Sequence, residues 1–176
     1  QSGTFRNDSR VAKLLGIPAL KEETSQNYSL GFTGSLGAFK LTVDGYFIKI
    51  DNRVIYTGQF KGSNAADATD QAGASTARFF ANAIDTETKG VDVVLSHQTS
   101  LFGGTLRSDL SGSYVKTAII GDAHTSDLLA GKESIYLDHA SRVYIESVTP
   151  RVKANLSLNY NLGRWNVFLR NVYFGG

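Results

Sequence analysis

The sequence predicts an all-β fold made of antiparallel transmembrane β-barrel strands that follow one another as a meander of hairpins. Three observations lead to this prediction. Apolar and polar residues alternate with a period of two, short glycine-containing turns separate paired runs, and the connections between pairs are long. Because alternate connections of a meander lie at the same end, one end should carry tight turns and the other large loops.

Six alternating runs form three expected hairpins. The first covers residues 27–47 with a turn at Gly37 and Ala38, and the second covers 90–114 with a turn at 102–105. The third shows the clearest alternation, because one side of its first run is entirely apolar while the other is entirely polar. Its apolar side holds Val152, Ala154, Leu156, Leu158, Tyr160 and Leu162, and after Gly163 and Arg164 it continues with Trp165, Val167, Leu169 and Tyr173.

Composition narrows the function classes. The chain has 176 residues, a net charge of +2, 41% hydrophobic and 19% charged residues, and no cysteine. These values exclude a strongly disordered chain, a disulfide framework, a thiolate metal site and a cysteine nucleophile, and the small charge gives no support to a nucleic-acid partner. No apolar run is long enough for a membrane helix, so a hydropathy window alone would describe a water-soluble protein.

Two interpretations fit alternating strands. A soluble antiparallel barrel or sandwich would turn the apolar face inward. A membrane barrel would turn it to lipid and the polar face to a wet lumen, with short turns at one end and long loops at the other. The loop asymmetry and the large, unbroken apolar stripes favour the membrane barrel.

Aromatic residues support this choice, since membrane barrels carry aromatic girdles at both interfaces. Three tyrosines lie eight residues from the turn-side end of a run, a rise of roughly 19 Å on a tilted strand. The expected lipid-interface aromatics are Tyr28, Tyr114, Tyr160, Trp165 and Tyr173. Polar residues also fall on this face, namely His97, Ser108 and Asn171, and the alternation slips after Phe47, where we expect a bulge.

The six runs are too few for a closed barrel, because the smallest transmembrane barrels have eight strands. The first twenty-odd residues predict a loop with at most one turn of helix. We therefore expect residues 1–176 to be part of a single, larger outer-membrane β-barrel domain, with loops at about 57–78 and 121–149.

Four blocks of the sequence resemble the barrel of TonB-dependent outer-membrane receptors, in the order found in the later half of that barrel. They are LKEETSQNYSLGFTG, FKLTVDGYFIKIDNRV, ARFFANAIDTETKGVDVVLSH and PRVKANLSLNYNLGRWNVFLRNVYFG. The resemblance implies a roughly 22-stranded barrel in the outer membrane of a Gram-negative bacterium, containing a plug domain that is absent from these residues. It implies energy-coupled uptake of a siderophore-iron complex, haem, cobalamin or glycan.

The same resemblance implies partners, while the polar face and the long loops supply the candidate site residues. The partners are outer-membrane lipid and lipopolysaccharide, the plug domain of the same polypeptide, the TonB complex acting through that plug, and a small-molecule or metal-chelate ligand. The expected lumen- and plug-facing residues are Lys40, Asp44, Arg107, Asp109, Lys153, Asn155 and Asn159. The loop candidates for ligand binding are Arg53, Tyr56, Arg78, His124, Tyr136 and Arg142.

Neither an enzyme nor a metal site is expected. The three histidines are scattered, no GxSxG or HExxH spacing occurs, and no cofactor motif is present. A short helix over residues 138–148 with Asp138 as its N-cap is expected inside the second long loop. Two alternatives stay open at this point: a complete small barrel serving as an adhesin or anchor, with two more strands in the first 25 residues, and a soluble lipocalin-like barrel with Leu156 and Leu158 inward.

Overall fold

A computed structural model describes residues 2–61, 76–125, 131 and 133–176. Within these residues the helices are α1 (Arg10–Leu14), α2 (Glu133–Tyr136) and α3 (His139–Ser147). The strands are β1 (Ser2–Thr4), β2 (Thr24–Leu36), β3 (Phe39–Tyr56), β4 (Thr76–Arg78), β5 (Phe80–Leu101), β6 (Gly104–Ile120), β7 (Val152–Leu162) and β8 (Trp165–Gly175). Residues 62–75, 126–130 and 132 of the two expected loops lie outside the described residues.

The main sheet has six strands in the order β2-β3-β5-β6-β7-β8, and β1 pairs in parallel with β4 in a separate two-stranded sheet. The six strands and three hairpins predicted from alternation are therefore confirmed. The two additional long strands that a complete small barrel requires in the first 25 residues are not there, because this segment contributes only β1, α1 and the start of β2. In the described chain no helix is both long and apolar enough to cross a bilayer.

The chain divides into two compact units. The first, here the core unit, comprises Gln1–Gln26, Lys49–Glu87 and Ala118–Glu146. The second, here the sheet unit, comprises Asn27–Ile48, Thr88–Thr117 and Ser147–Gly176. The prediction of a single barrel domain over the whole chain remains a prediction.

All three hairpin turns belong to the sheet unit and each has two residues. Gly37 and Gly163 open their turns with φ angles of 57° and 56°, which suit the first central position of a type II′ turn. Phe102 and Gly103 have φ angles of 47° and 77°, so both central residues of the middle turn are left-handed. These tight turns confirm the end of the meander at which short connections were expected.

The register of β6, β7 and β8 sorts their residues onto two faces. Leu110 pairs with Leu156 and Leu106 with Tyr160, while on the next strand Leu158 pairs with Leu169. The apolar residues of one strand therefore face those of its neighbour, as the period of two predicts. Leu156, which the lipocalin-like alternative places inward, is 42% exposed on this face.

Strand β8 differs from β7 because its second face mixes apolar residues with Asn166 and Arg170. On the face that β7 fills with polar side chains, β8 presents Phe168, Val172 and Phe174, which are 55%, 48% and 61% exposed. The strict alternation of apolar and polar residues in β7 is therefore not found in β8.

Three strands run further than the alternation indicated. Strands β3, β5 and β6 contain 18, 22 and 17 residues, whereas about ten residues span a membrane as a tilted strand. The extra residues belong to the core unit or border it. As a result Arg53 and Tyr56, expected in a loop, lie in β3.

The core unit is built around a buried apolar cluster to which the first twenty residues contribute. Val11, Ala12, Leu15 and Ile17 are at most 6% exposed, and they pack with residues that follow β3 and precede β5. Ser9 caps α1 by accepting a hydrogen bond from the N–H of Ala12 at 3.2 Å. The expected turn of helix is confirmed, but its role in a core was not foreseen.

Aromatic rings form the centre of this cluster. Phe79 contacts Phe5 and Phe60 at ring-centroid distances of 6.2 and 5.8 Å, and Phe60 meets the ring of Tyr136 edge-on at 5.8 Å. Because aromatic side chains bury large areas, a few of them can hold irregular segments together.

The irregularity expected after Phe47 lies further along, at Asn52, whose φ angle is 56°. Its N–H donates to the Asp85 carboxylate at 2.8 Å, and its carbonyl accepts from the Asn82 amide at 2.6 Å. Asn82 also exchanges two hydrogen bonds with the backbone of Lys21. Side chains from β5 therefore replace the backbone partners that a left-handed residue in a strand cannot use.

Replacing Gly58 with alanine should destabilise the core unit. A Cβ at this position would lie 2.6 Å from the carbonyl oxygen of Ile135, and that carbonyl accepts the Gly58 N–H at 2.8 Å. Relieving the clash would separate two backbone segments, at a cost of about 1–3 kcal/mol. Thermal unfolding measures the effect. Gly112→Ala is the matched control, because its Cβ would meet nothing within 4 Å, and an equal melting temperature for G58A and G112A would contradict the expectation.

Candidate functional site

The predicted lumen-facing residues share one face of the sheet unit, here called the polar wall. Register pairs Arg107 with Asn159 and Ser113 with Lys153, and side-chain contacts continue the wall onto β5. Its members are Lys40, Asp44, Arg107, Asp109, Lys153, Asn155 and Asn159. The structure thus brings the predicted residues together on one surface, while their contact with a plug remains a prediction.

An ion pair lies at the middle of the polar wall. The guanidinium of Arg107 donates to both carboxylate oxygens of Asp109, at 2.9 and 3.3 Å, and the Ser96 hydroxyl donates to the same carboxylate at 2.6 Å. The Arg107 side chain is 59% exposed, so the pair contributes at most about 1 kcal/mol to stability. It neutralises charge on the wall and leaves guanidinium donors accessible.

An asparagine cluster lies beside the turn between β7 and β8. The Asn166 amide donates to Asn159 at 2.7 Å and to Asn161 at 2.6 Å, and Asn161 donates to Asn159 at 3.2 Å. Further along, Arg170 donates to the Ser157 hydroxyl at 3.3 Å. These side chains give the wall neutral donors and acceptors that suit a hydrated partner.

The polar wall contains a shallow groove of about 490 Å³. Its lining consists of Ala38, Lys40, Thr42, Val94, Ser96, His97, Gln98 and Arg107. The groove thus brings two cationic side chains and several hydroxyl or amide groups together with apolar surface.

The opposite face carries the aromatic residues expected at the lipid interface. Trp165, Tyr28, Tyr173 and Tyr114 are 77%, 63%, 59% and 45% exposed. Tyr160 has a second role, since its hydroxyl donates to the Leu101 carbonyl at 2.9 Å beside the middle turn. Their placement at a membrane interface remains a prediction.

His97, one of the polar residues on the apolar face, is partly covered by an aromatic ring. It stacks on Phe39 with a centroid distance of 4.3 Å and an interplanar angle of 25°. Stacking lets an imidazole lie among apolar neighbours with less exposed polar surface. This contact accounts for a residue that does not follow the alternation.

Among the ligand-binding candidates, Tyr56 and Arg78 lie in contact in the core unit. The Arg78 guanidinium carbon is 5.3 Å from the centre of the Tyr56 ring, and Tyr56 packs against Phe80 at 5.2 Å. The hydroxyls of Thr4 and Tyr56 are 2.5 Å apart. A cation over a partly exposed aromatic pair is a surface that can bind a ring-containing or anionic ligand.

The remaining candidates are dispersed. Arg53 donates to Thr86 at 3.4 Å, His124 lies 3.5 Å from the Asp85 carboxylate, and Arg142 is 4.0 Å from Glu146 on α3. Tyr136 differs from its predicted role, because its ring is 1% exposed and packs in the aromatic cluster. We assign Tyr136 a packing role. Within the described residues no three His, Asp or Glu side chains group as metal ligands.

Helix α3 begins as expected at Asp138, whose carboxylate accepts the Ser141 N–H at 2.7 Å. This hydrogen bond and that from the Ser141 hydroxyl lower the pKa of Asp138 below its ordinary value of 3.8, and the charges of Arg78 and His139 act in the same direction.

Asn82 and Asp85 were not foreseen as positioning residues, although the dipeptide Asp51-Asn52 carried a weak signal for a left-handed residue.

Removing the Asp138 cap should destabilise α3, by about 1 kcal/mol for Asp138→Ala. The folded pKa is depressed, so the ionised cap stabilises fully above the unfolded pKa and loses this effect as pH falls through the lower folded pKa. Asp138→Asn keeps an acceptor but does not titrate. Thermal unfolding of wild type and D138N between pH 6 and about pH 2 should show an acid-dependent loss specific to wild type. Parallel pH profiles would contradict this assignment.

Comparison with known proteins agrees with these observations. The family model described as TonB dependent receptor-like, beta-barrel, matches residues 2–176. Among solved structures, the chain resembles that of the outer membrane transporter YddB from Escherichia coli, with a TM-score of 0.55 and 12% sequence identity. The likeness covers 86% of this chain but 20% of the transporter chain, so the chain spans about a fifth of that protein, and at this identity it shows the fold alone. No curated protein matches the chain.

The family match extends over nearly every residue and agrees with the six-stranded antiparallel sheet, its tight turns and its two chemically distinct faces. The chain belongs to the family of TonB-dependent receptor-like β-barrels.

Proposed function

We propose that this chain forms part of the barrel wall of a TonB-dependent outer-membrane receptor that imports a scarce nutrient. The observation that carries the proposal is the register of β6, β7 and β8, which aligns an exposed apolar stripe on one face and the polar wall on the other. In a bilayer, pairing with neighbouring strands satisfies the backbone, while the apolar side chains face lipid and the polar ones face a hydrated interior.

The polar wall has the chemistry of a surface that holds a removable plug. Its ion pair, asparagine cluster and groove offer many modest polar contacts, which water can replace when the plug moves. In this proposal the plug domain belongs to the same polypeptide and TonB acts through the plug. The wall itself performs no covalent chemistry, and the chain acts as a transporter component without enzymatic activity.

Ligand recognition is proposed for the core unit, at the surface formed by Tyr56, Arg78 and Phe80. Their cation-π and aromatic contacts preorganise an accessible ring and a charge, which lowers the entropic cost of binding. The substrate class stays among siderophore-iron, haem, cobalamin and glycan, all of which present a ring or an anionic group to such a surface.

Labels on adjacent residues of β7 can test which face of the strand contacts lipid and which contacts water. The chain contains no cysteine, so Leu156→Cys and Asn155→Cys can be spin-labelled singly in the bilayer-embedded protein. We expect the label at position 156 to collide with lipid-soluble oxygen and the label at 155 with a water-soluble nickel complex. Exchanged accessibilities, or water access at both positions, would refute the membrane wall.

Transport can be tested by growth and uptake under limitation for each nutrient class, in cells with and without an active TonB complex. Replacing Tyr56 and Arg78 together with alanine should lower uptake of the transported nutrient at least tenfold while the amount of barrel in the outer membrane is unchanged. Lys61→Ala, an exposed residue without an assigned role, serves as the control. Uptake that is independent of TonB would contradict the proposed function.

A further inference from the structure

Four side chains form a lateral row across β2, β3, β5 and β6 of the sheet unit. Two hydroxyl pairs show the cross-strand register. Thr33 and Thr42 are 3.0 Å apart between β2 and β3, and Thr88 and Thr117 are 2.9 Å apart between β5 and β6. Moving along these registers places Tyr28 opposite Phe47 and Lys89 opposite Lys116. We call Tyr28, Phe47, Lys89 and Lys116 the basic-aromatic row.

Ring contacts confirm this alignment. The rings of Tyr28 and Phe47 are 6.3 Å apart, and the Lys89 ammonium nitrogen lies 5.3 Å from the centre of the Phe47 ring. Tyr28 is 63% exposed, and both lysines are exposed. Phe47 between them is partly exposed. Since neighbouring strands are about 4.8 Å apart, the row is about 15 Å wide.

The row lies at the end of the apolar stripe that is remote from the tight turns. Along β6, Lys116 follows Tyr114 by two residues on the same face, and along β5, Lys89 precedes Val91 by two. The apolar face therefore changes to a pair of cations within one step of each strand. In a bilayer, this change of chemistry marks the level at which acyl chains give way to headgroups.

The two lysines lie directly opposite each other, so their ammonium groups repel. An anion bound between them would attract both groups and offset this repulsion. In the described chain no carboxylate lies within ion-pairing distance of Lys116. Alternation along β5 places Glu87 on the same face as Lys89, so one carboxylate borders the row beside Lys89. The Lys116 end is thus the more available for an added anion.

We propose that the basic-aromatic row binds the phosphate-bearing headgroup of an outer-leaflet lipid, an inference that rests on the membrane orientation in the proposed function. The phosphate oxygens would accept from the two ammonium groups, while the body of the headgroup covers the rings of Phe47 and Tyr28. The continuity of the row with the apolar stripe favours a lipid over free phosphate, because only a lipid supplies acyl chains for Val91 and Leu30.

The test compares the association of spin-labelled phosphatidylglycerol and phosphatidylcholine with the native-length protein reconstituted in phosphatidylcholine vesicles. The wild type should prefer the anionic lipid, and Lys89→Gln with Lys116→Gln should reduce that preference by roughly 5- to 30-fold, on the basis of the attraction per lysine near an anionic surface. Lys89→Arg with Lys116→Arg should retain it. An unchanged preference in the double glutamine variant overturns the proposal.

Lys13→Gln with Lys61→Gln is the matched control, because it removes the same charge from exposed positions off the stripe. A loss of preference equal to that of the K89Q/K116Q variant would show that net charge alone is responsible and would overturn the site. Inorganic phosphate at millimolar concentration should not displace the labelled lipid, and full displacement would assign the row to free phosphate instead.

Failure of this inference is distinguishable from failure of the proposed function. If the label at position 156 reports lipid contact while K89Q/K116Q keeps its lipid preference, the membrane wall stands and the headgroup site falls. If the label at position 156 reports water, the orientation that both require is refuted.

Discussion

The hydrogen-bond register between neighbouring strands is the constraint on which the rest of this structure depends. Side chains alternate between two faces along every strand, so a shift of one residue would move a whole apolar set to the polar side. Pairing Leu110 with Leu156 and Asp109 with Ser157 keeps the two chemistries apart across β6 and β7. The tight turns at Gly37, Phe102-Gly103 and Gly163 set this register at one end of each hairpin.

The core unit follows different rules, because its segments are irregular and cannot satisfy one another by strand pairing alone. An aromatic cluster around Phe79 excludes water, and side chains take over hydrogen bonds that backbone groups would otherwise make. Asn82 and Asp85 hold the left-handed Asn52, the Thr57 hydroxyl accepts the Phe79 N–H at 3.0 Å, and Asp138 caps α3. The contacts of Asn82, Asp85 and Thr57 join residues that are 22 to 33 positions apart in sequence, whereas the Asp138 cap is local.

Alternation predicted the six strands, their pairing and their two faces because the period of two is a local property of each strand. Asp138 was likewise predictable, since an N-cap and its helix are neighbours in sequence. The core unit was not, because nothing in residues 1–20 shows that Val11 and Leu15 pack against Phe60 and Phe79. Tyr136 was assigned to ligand binding on its loop position, and its burial depends on the same long-range packing.

The large apolar residues on both faces of β8 have a consequence for how that strand aligns with β7. A one-residue slip of β7 would bring asparagines and a lysine into the apolar stripe. A slip of β8 would bring Asn166 and Arg170 there, together with Phe168 and Val172. Because both faces of β8 carry large apolar residues, hydrophobicity selects its alignment less strongly than that of β7, and directional bonds add to the selection. Asn166 donating to Asn161 and Arg170 donating to Ser157 join residues directly opposite each other in the observed register, and a slipped strand would lose both. Asn166 and Arg170 thus favour the observed alignment of β8 on β7 over a shifted one.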